Sequence, residues 1–223
     1  MFDFLKRIVD LIIAFITLVL LLPIFVFVII TLSLTGEGEV FYLQKRLGFK
    51  NKSFKIIKFA TMIKNSPNIG SGSITLRDDP RVLPFGKFLR KSKINELPQI
   101  FNVIKGEMSI VGPRPQMEVD FKKFPKDKRD YIYLSKPGIT GIGSIVFRDE
   151  EKWISSFQGD KHKFYRTKIA PYKAELELWY LKNRSVFIDI KLIILTAWVI
   201  LFPKSQIISN VFDDLPIKPD HLN

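Results

Sequence analysis

Apolar residues crowd one end of the chain. From Leu11 to Gly36 the sequence reads LIIAFITLVLLLPIFVFVIITLSLTG, 26 residues without a charge. Roughly 20 apolar residues in a helix cross the hydrocarbon core of a bilayer, so the run predicts a membrane segment. It is too long for a secretory signal and lacks a small-x-small cleavage pattern. Pro23 stands near its middle, where a missing N–H and a bulky ring bend a helix. Basic residues flank both ends: Lys6 and Arg7 before, Lys45, Arg46, Lys50, Lys52 and Lys55 after. Lys and Arg beside membrane segments stay in the cytoplasm, and a straight span would carry one basic flank outside. A re-entrant helix that enters, breaks at Pro23 and returns keeps both flanks inside, and that is the expected anchor.

Past the anchor the pattern changes to short elements. LTGEGEVFYLQKRLGF (34–49) reads as turn, strand and turn, and KSFKIIKFATM (52–62) as a second strand completing a hairpin. NSPNIGSGSITLRDDPRV (65–82) is rich in Gly, Ser, Asn and Pro and is expected to be a mobile loop. PFGKFLRKSK (84–93) predicts a helix with a basic side. Leu97, Ile100, Phe101 and Ile104 fall at i, i+3, i+4 and i+7, one face of a further helix. Asn95 suits its N-cap, Glu96 its first turn, and Gly106 its end. Residues 133–153 read as a glycine-punctuated loop and strand, and about 164–182 as a helix of mixed charge. In VFIDIKLIILTAWVILF (186–202) only 11 residues after Lys191 are free of charge. That is too short to span a bilayer, so the segment either lies on a membrane surface or packs in the core.

These elements predict an α+β fold, mainly helical, in two parts. Residues 1–36 form a re-entrant, helix-break-helix membrane anchor. Residues 37–223 form a small cytoplasmic domain with short strands and interfacial helices.

Charge narrows the partner. The net charge is +13, which favours an acidic one: nucleic acid, anionic lipid or a phosphorylated small molecule. No nucleic-acid motif is present and aromatics do not interleave with basic residues, so nucleic acid is set aside. The chain has no cysteine, which removes disulfides, thiol nucleophiles and thiolate metal sites. His162 and His221 are the only histidines and stand far apart, so any metal is expected to be a hard ion on oxygen ligands, Mg²⁺ first. A carboxylate at a helix start (Glu96) sits among Arg90, Arg114 and Arg148, and Arg114 is confined between Pro113 and Pro115. Arginine forks take phosphate in two-point contacts. Taken alone, Glu96 reads more simply as a first-turn helix stabiliser.

The block FGKFLRKSKINELPQIFNVIKGEMSIVGPRP, followed by KPGITG and LWYLKN, resembles the bacterial sugar transferase family, the monotopic polyprenyl-phosphate phosphoglycosyl transferases. The likeness covers nearly the whole chain in order and spacing. It implies transfer of a phospho-sugar from a UDP-sugar to polyprenyl phosphate with Mg²⁺, releasing UMP and starting a surface glycan. It also implies the cytoplasmic face of the bacterial inner membrane, contact with membrane lipids, and leaves homo-oligomer formation open. Carried over by position, Glu96 matches the Glu of the family's catalytic Asp-Glu pair and a metal-binding carboxylate. Arg90, Arg114 and Arg148 match phosphate-binding arginines, Lys58 a lysine of the KFATM strand, and Pro23 the helix-breaking proline.

Four positions depart from the family pattern. Asn95 stands where the nucleophilic Asp is usual, and Leu22 replaces a small polar residue before the break. GIGSIVFRDEE (141–151) differs from the commoner loop and points to a different sugar, and Glu177 replaces an Asp with a longer arm. A neutral amide is a poor nucleophile. Three accounts of Asn95 follow: Glu96 acts as nucleophile or base, the residue is an inactivating substitution, or the chain is a catalytically silent membrane scaffold of a glycan assembly complex.

Overall fold

The computed structural model describes residues 2–69, 79–202, 205 and 207–219. The glycine-rich tract expected to be a mobile loop falls largely at 70–78, outside the described residues. Its described end is anchored: Arg81 is buried against Asp79 and the carbonyls of Ser66 and Ile69.

Helix α1 runs from Phe2 to Leu34. Near its end Thr31, Ser33 and Thr35 return their hydroxyls to the carbonyls of Phe27, Ile29 and Thr31, so the polar groups need no outside partner. Gly36, at φ +61°, turns the chain away. The helical run continues through Pro23, so the two halves expected on either side of a break belong to one helix. Ala14, Phe25, Val28 and Leu32 are buried against the remainder, while Phe15, Ile16, Val19, Leu20 and Leu22 are exposed.

Strands β1 (Phe41–Leu47) and β2 (Ser53–Phe59) form the expected hairpin, antiparallel with Tyr42 opposite Lys58. Helix α2 (Pro84–Lys91) matches the predicted basic helix. A 3₁₀ turn at Ile94–Glu96 leads to α3 (Gln99–Lys105), which ends at Gly106 in the left-handed region, as its sequence requires. Strand β3 (Ser109–Val111) then pairs in parallel with β4 (Gly138–Thr140). Between them lie α4 (Glu118–Phe121) and α5 (Lys126–Ile132). The two strands' ends meet so closely that a Cβ on Gly138 would sit 2.1 Å from the Gly112 nitrogen. Glycine is therefore required there.

Residues 133–153 hold more helix than expected. After β4 come α6 (Ile142–Val146) and α7 (Glu150–Ser156), because the glycines at 141 and 143 sit at the start of a turn of helix rather than in an open loop. Helix α8 (Lys161–Phe164), a π-turn (Tyr165–Ile169) and α9 (Ala170–Asn183) cover the predicted mixed-charge helix. Tyr172, Lys173, Ala174, Leu176, Glu177, Trp179 and Tyr180 make α9 a buried central element.

Helix α10 (Val186–Leu201) takes the core-packing option on one face and leaves its other face exposed. It packs Leu192, Leu195 and Val199 inward and exposes Phe187, Ile194, Trp198 and Leu201. A last short helix, α11 (Ile208–Val211), follows.

The first basic flank turns inward. Arg7 donates to the carbonyls of Val103 and Ile104 at the end of α3, supplying partners that a helix terminus lacks. Lys6 pairs with Asp189 of α10 at 2.5 Å. The sequence marked both only as a basic flank of the anchor; their long-range carboxylate and carbonyl partners come from the fold.

Candidate active site

The site begins with the 3₁₀ turn. Pro98 has no N–H to give the carbonyl of Ile94, and its ring opposes an α-turn there, so the ladder cannot run straight into α3. The chain winds more tightly instead, with i→i+3 bonds from Glu96 to Lys93 and from Leu97 to Ile94. This corrects the N-cap assignment: Pro98, not Asn95, occupies the N-cap of α3, and no side-chain cap is made. Asn95 is buried, and its Oδ1 has no hydrogen-bond partner among the described residues.

Glu96 is held by cations rather than by the start of α3. Arg114 donates to it through two nitrogens, at 2.9 Å to Oε1 and 3.4 Å to Oε2, and Lys58 of β2 stands 3.4 Å from Oε1. The side chains of Glu96 and Lys58 are each 15% exposed, whereas that of Arg114 is 35% exposed, so Arg114 is the most accessible of the three.

Arg114 is fixed from several sides. The Tyr133 hydroxyl donates to the Arg114 carbonyl at 2.9 Å and accepts from the Gln116 N–H at 2.8 Å. Arg46 donates to the Pro115 carbonyl at 3.3 Å, and Gly138 N–H to the Pro113 carbonyl at 2.9 Å. From below, Glu177 accepts from the Arg114 N–H at 3.4 Å. Gly143 is small for this reason: a Cβ there would meet Glu177 Oε1 at 2.3 Å. The two prolines that limit Arg114 were legible in the sequence; the four tertiary pins were not.

The other expected residues have partners of their own. Arg90 donates to Glu151 at 3.0 Å. Arg148 donates to Asp149 and to the Val199 carbonyl of α10. Glu177 is buried and accepts from the Arg114 backbone N–H. Arg46, which the sequence reading placed in the membrane-flanking cluster, faces the site because its side chain is drawn to Gln44 and Pro115. Sequence reasoning also passed over Glu150, which pairs with buried Lys173 of α9 at 2.8 Å. The one signal for it was its place in the atypical 141–151 segment.

Charge states follow from these contacts. Burial would push the Glu96 carboxyl up, but Arg114 and then Lys58 hold it well below the usual carboxylate range. Lys58 is pushed down to about 8, first by burial and then by Arg114, Arg46 and Arg90, against the pull of Glu96. Glu96 raises Arg114, which therefore stays charged. Glu177 is pushed up to about 7 by burial, opposed by the Arg114 N–H and Lys173. Lys58, Arg46 and Arg114 thus outnumber ionised Glu96, and an arriving phosphate would restore the balance.

Among the described residues no three acidic or histidine side chains gather as a metal site. Mg²⁺, however, commonly takes one or two protein oxygens and fills its shell with water and substrate phosphate. Glu96 and the unpartnered Asn95 Oδ1 match that limited donor set.

Among the described residues, fold and site together give a mainly helical domain with one long apolar helix and a carboxylate, Glu96, clamped by Arg114 and Lys58. The chain belongs to the bacterial sugar transferase family, which it matches over residues 1–203. It is 34% identical over 202 residues to the UDP-N-acetylgalactosamine-undecaprenyl-phosphate N-acetylgalactosaminephosphotransferase of Aeromonas hydrophila, covering 90% of this chain and 44% of that protein. Against the UDP-galactose-lipid carrier transferase of Erwinia amylovora the identity is 34% over 212 residues, 89% of this chain and 40% of the other. The chain therefore spans less than half the length of these two relatives. It matches the sugar transferase EpsL of Bacillus subtilis more completely, at 34% identity over 88% of this chain and 87% of that protein.

Proposed function

We propose that the protein transfers a sugar phosphate from a UDP-sugar to polyprenyl phosphate at the cytoplasmic face of the bacterial inner membrane. UMP leaves, and the polyprenyl diphosphate sugar starts a surface polysaccharide. The observation that carries this reading is the Glu96–Arg114–Lys58 cluster, in which Arg114 is partly exposed while the carboxylate is enclosed. Arg114 is pre-oriented by its backbone pins, so it can take up negative charge at the diphosphate with little reorganisation. Lys58 and Arg46 add positive potential from the hairpin. Glu96 keeps Arg114 charged and aimed. When bound beside Glu96 and Asn95, Mg²⁺ would act as a Lewis acid on the diphosphate oxygens. The names of the relatives point to galactose, glucose or N-acetylgalactosamine as the sugar.

The re-entrant anchor is part of this proposal. Arg7 and Phe25 lie 18 residues apart, about 27 Å along a straight helix. Yet Arg7 bonds the carbonyls of residues 103 and 104, and the Phe25 ring lies 5.9 Å from that of Phe101, on the same short helix. Two anchors this close on α3 favour a bend at Pro23, with the exposed apolar residues between them dipping into lipid. Because the chain has no cysteine, single cysteines at Phe4 and at Gly38 give a clean test. A membrane-impermeant thiol reagent should label both from the cytoplasmic side; labelling from opposite sides would refute the re-entrant form.

Activity is tested by incubating the detergent-solubilised chain with Mg²⁺, undecaprenyl phosphate and UDP-galactose, UDP-glucose or UDP-N-acetylgalactosamine. UMP and a lipid-linked sugar diphosphate are expected from at least one donor. UDP as the released nucleotide would indicate a simple glycosyltransferase. Lipid binding with no nucleotide released would indicate a non-catalytic scaffold, the reading that Asn95 favours.

A further inference from the structure

A cavity of about 460 Å³ lies between the hairpin and α4. Arg46, Leu47 and Ser53 line it from the hairpin, and Met117, Val119 and Lys122 from the chain around α4. Its size falls within the roughly 300–1,000 Å³ of small-molecule sites. The two sides are tied together. Leu47 N–H donates to the Gln116 carbonyl at 2.9 Å. The Gln44 side chain accepts from Arg46 at 2.5 and 3.1 Å and gives its amide to the Met117 sulfur at 3.4 Å. Ser53 stands opposite Leu47 in the hairpin register, which brings its hydroxyl to the same cavity.

Two links join this cavity to the Glu96–Arg114–Lys58 cluster. Arg46 lines it and also donates to the carbonyl of Pro115, the residue after Arg114, at 3.3 Å. Met117 is three residues beyond Arg114, so their Cα atoms are at most about 11 Å apart. That is the scale separating the diphosphate of a nucleoside diphosphate from its base. The lining narrows the occupant. Leu47, Met117 and Val119 offer an apolar surface, and Val119 is 52% exposed. A flat heteroaromatic ring gains by covering such a surface, and a Met sulfur makes favourable ring contacts. A sugar would leave hydroxyls unpaired there. A prenyl chain would have to pass Lys45, Glu118 and Lys122, the last two paired at 2.8 Å and well exposed. Stripping water from those charges against hydrocarbon is costly.

Resting on the sugar-phosphate transfer proposed above, we infer that this cavity holds the nucleoside half of the donor. The pyrimidine ring lies against Leu47, Met117 and Val119, and Arg46 and Arg114 face the diphosphate. Lys45 and Lys122 at the rim draw the anionic donor in. Base recognition and phosphate binding are thus the two ends of one segment, residues 114–119.

The test maps the base directly. The full chain in detergent is irradiated with 5-iodo-UMP, digested and sequenced by mass spectrometry. A cross-link is expected on Leu47, Met117 or Val119, and excess UMP should suppress it. Val119→Trp, which fills the cavity, should lower kcat/KM for the UDP-sugar about tenfold or more, with the KM for undecaprenyl phosphate unchanged. A cross-link confined to other residues, or none from a chain that turns over UDP-sugar, overturns the base site and leaves the transferase reading intact. So does a Val119→Trp variant that loses nothing, or whose loss falls on undecaprenyl phosphate. Should Val119→Trp fail to fold, the cross-link in the wild-type chain still decides. Absence of both the UMP-suppressible cross-link and UMP release with every donor would overturn both.

Discussion

Replacing Glu96 by glutamine removes one negative charge from between Lys58 and Arg114 while nearly preserving shape. At 2.9 and 3.4 Å, each cation attracts the carboxylate by roughly 5 kcal/mol at an effective dielectric of about 20, before desolvation is subtracted. Breaking a pair this enclosed costs about 3–5 kcal/mol, because uncompensated charge stays buried. For a chain of this size that corresponds to a fall of roughly 6–20 °C in melting temperature. The loss should also depend on pH. Lys58 already sits at about 8, with Glu96 the main influence raising it, so the variant's Lys58 must titrate lower still. As pH rises through the variant's value, the variant sheds its buried charge and gains stability before the wild type does. The penalty is therefore largest near pH 6 and shrinks toward pH 8. Thermal unfolding of both proteins in EDTA, in one detergent, at pH 6 and pH 8 reads this out. A loss under about 1 kcal/mol, or one equal at both pH values, would refute the account of Glu96 as the charge that holds the cluster together.

Lys58 carries its own signature: its charge aids an anionic donor only while it is protonated. The kcat/KM of the wild type should fall as pH rises through about 8, the value set by its burial, and Lys58→Met should be slower yet lack that limb. Glu177 makes stability, rather than rate, depend on pH. Its folded value near 7 lies above the unfolded one, so the folded state binds more protons between about pH 4.5 and 7. The stability it contributes, of order 3 kcal/mol, is present below pH 4.5 and lost as pH rises through 7. Urea midpoints for Glu177→Gln should be flatter across that window than for the wild type. Gly143→Ala places a methyl 2.3 Å from Glu177 Oε1 and should cost about 1–3 kcal/mol. It should also depress turnover, since displacing Glu177 releases the Arg114 backbone; unchanged kinetics would show that this pin is dispensable.

Much of the architecture is written locally. A charge-free run of 26 residues can only be a long apolar helix, the alternating strands around residues 41–59 form a hairpin, and Gly106 ends α3 in the left-handed region, as its sequence demands. The i, i+3, i+4, i+7 spacing from Leu97 marked a helix here, but α3 buries Gln99, Ile100, Asn102 and Val103 and leaves Ile104 exposed; two prolines marked Arg114 as constrained. Where neighbours in sequence determine backbone geometry, the order of residues is enough.

Charges are another matter, because a side chain's partner is chosen by the whole fold. Lys6 and Arg7 looked like membrane flanks and became internal ties to Asp189 and to the end of α3. Asn95 looked like a cap, yet Pro98 shifted the helix start and left its amide buried and unpartnered. Glu96 meets Lys58 across 38 positions and Arg114 across 18, and Glu150 meets Lys173 across 23. No short-range pattern records those distances. The chain alone determined which elements exist and which residue types could handle phosphate. Only tertiary packing, by choosing partners far away in sequence, decided which of those groups are enclosed and which cations clamp Glu96.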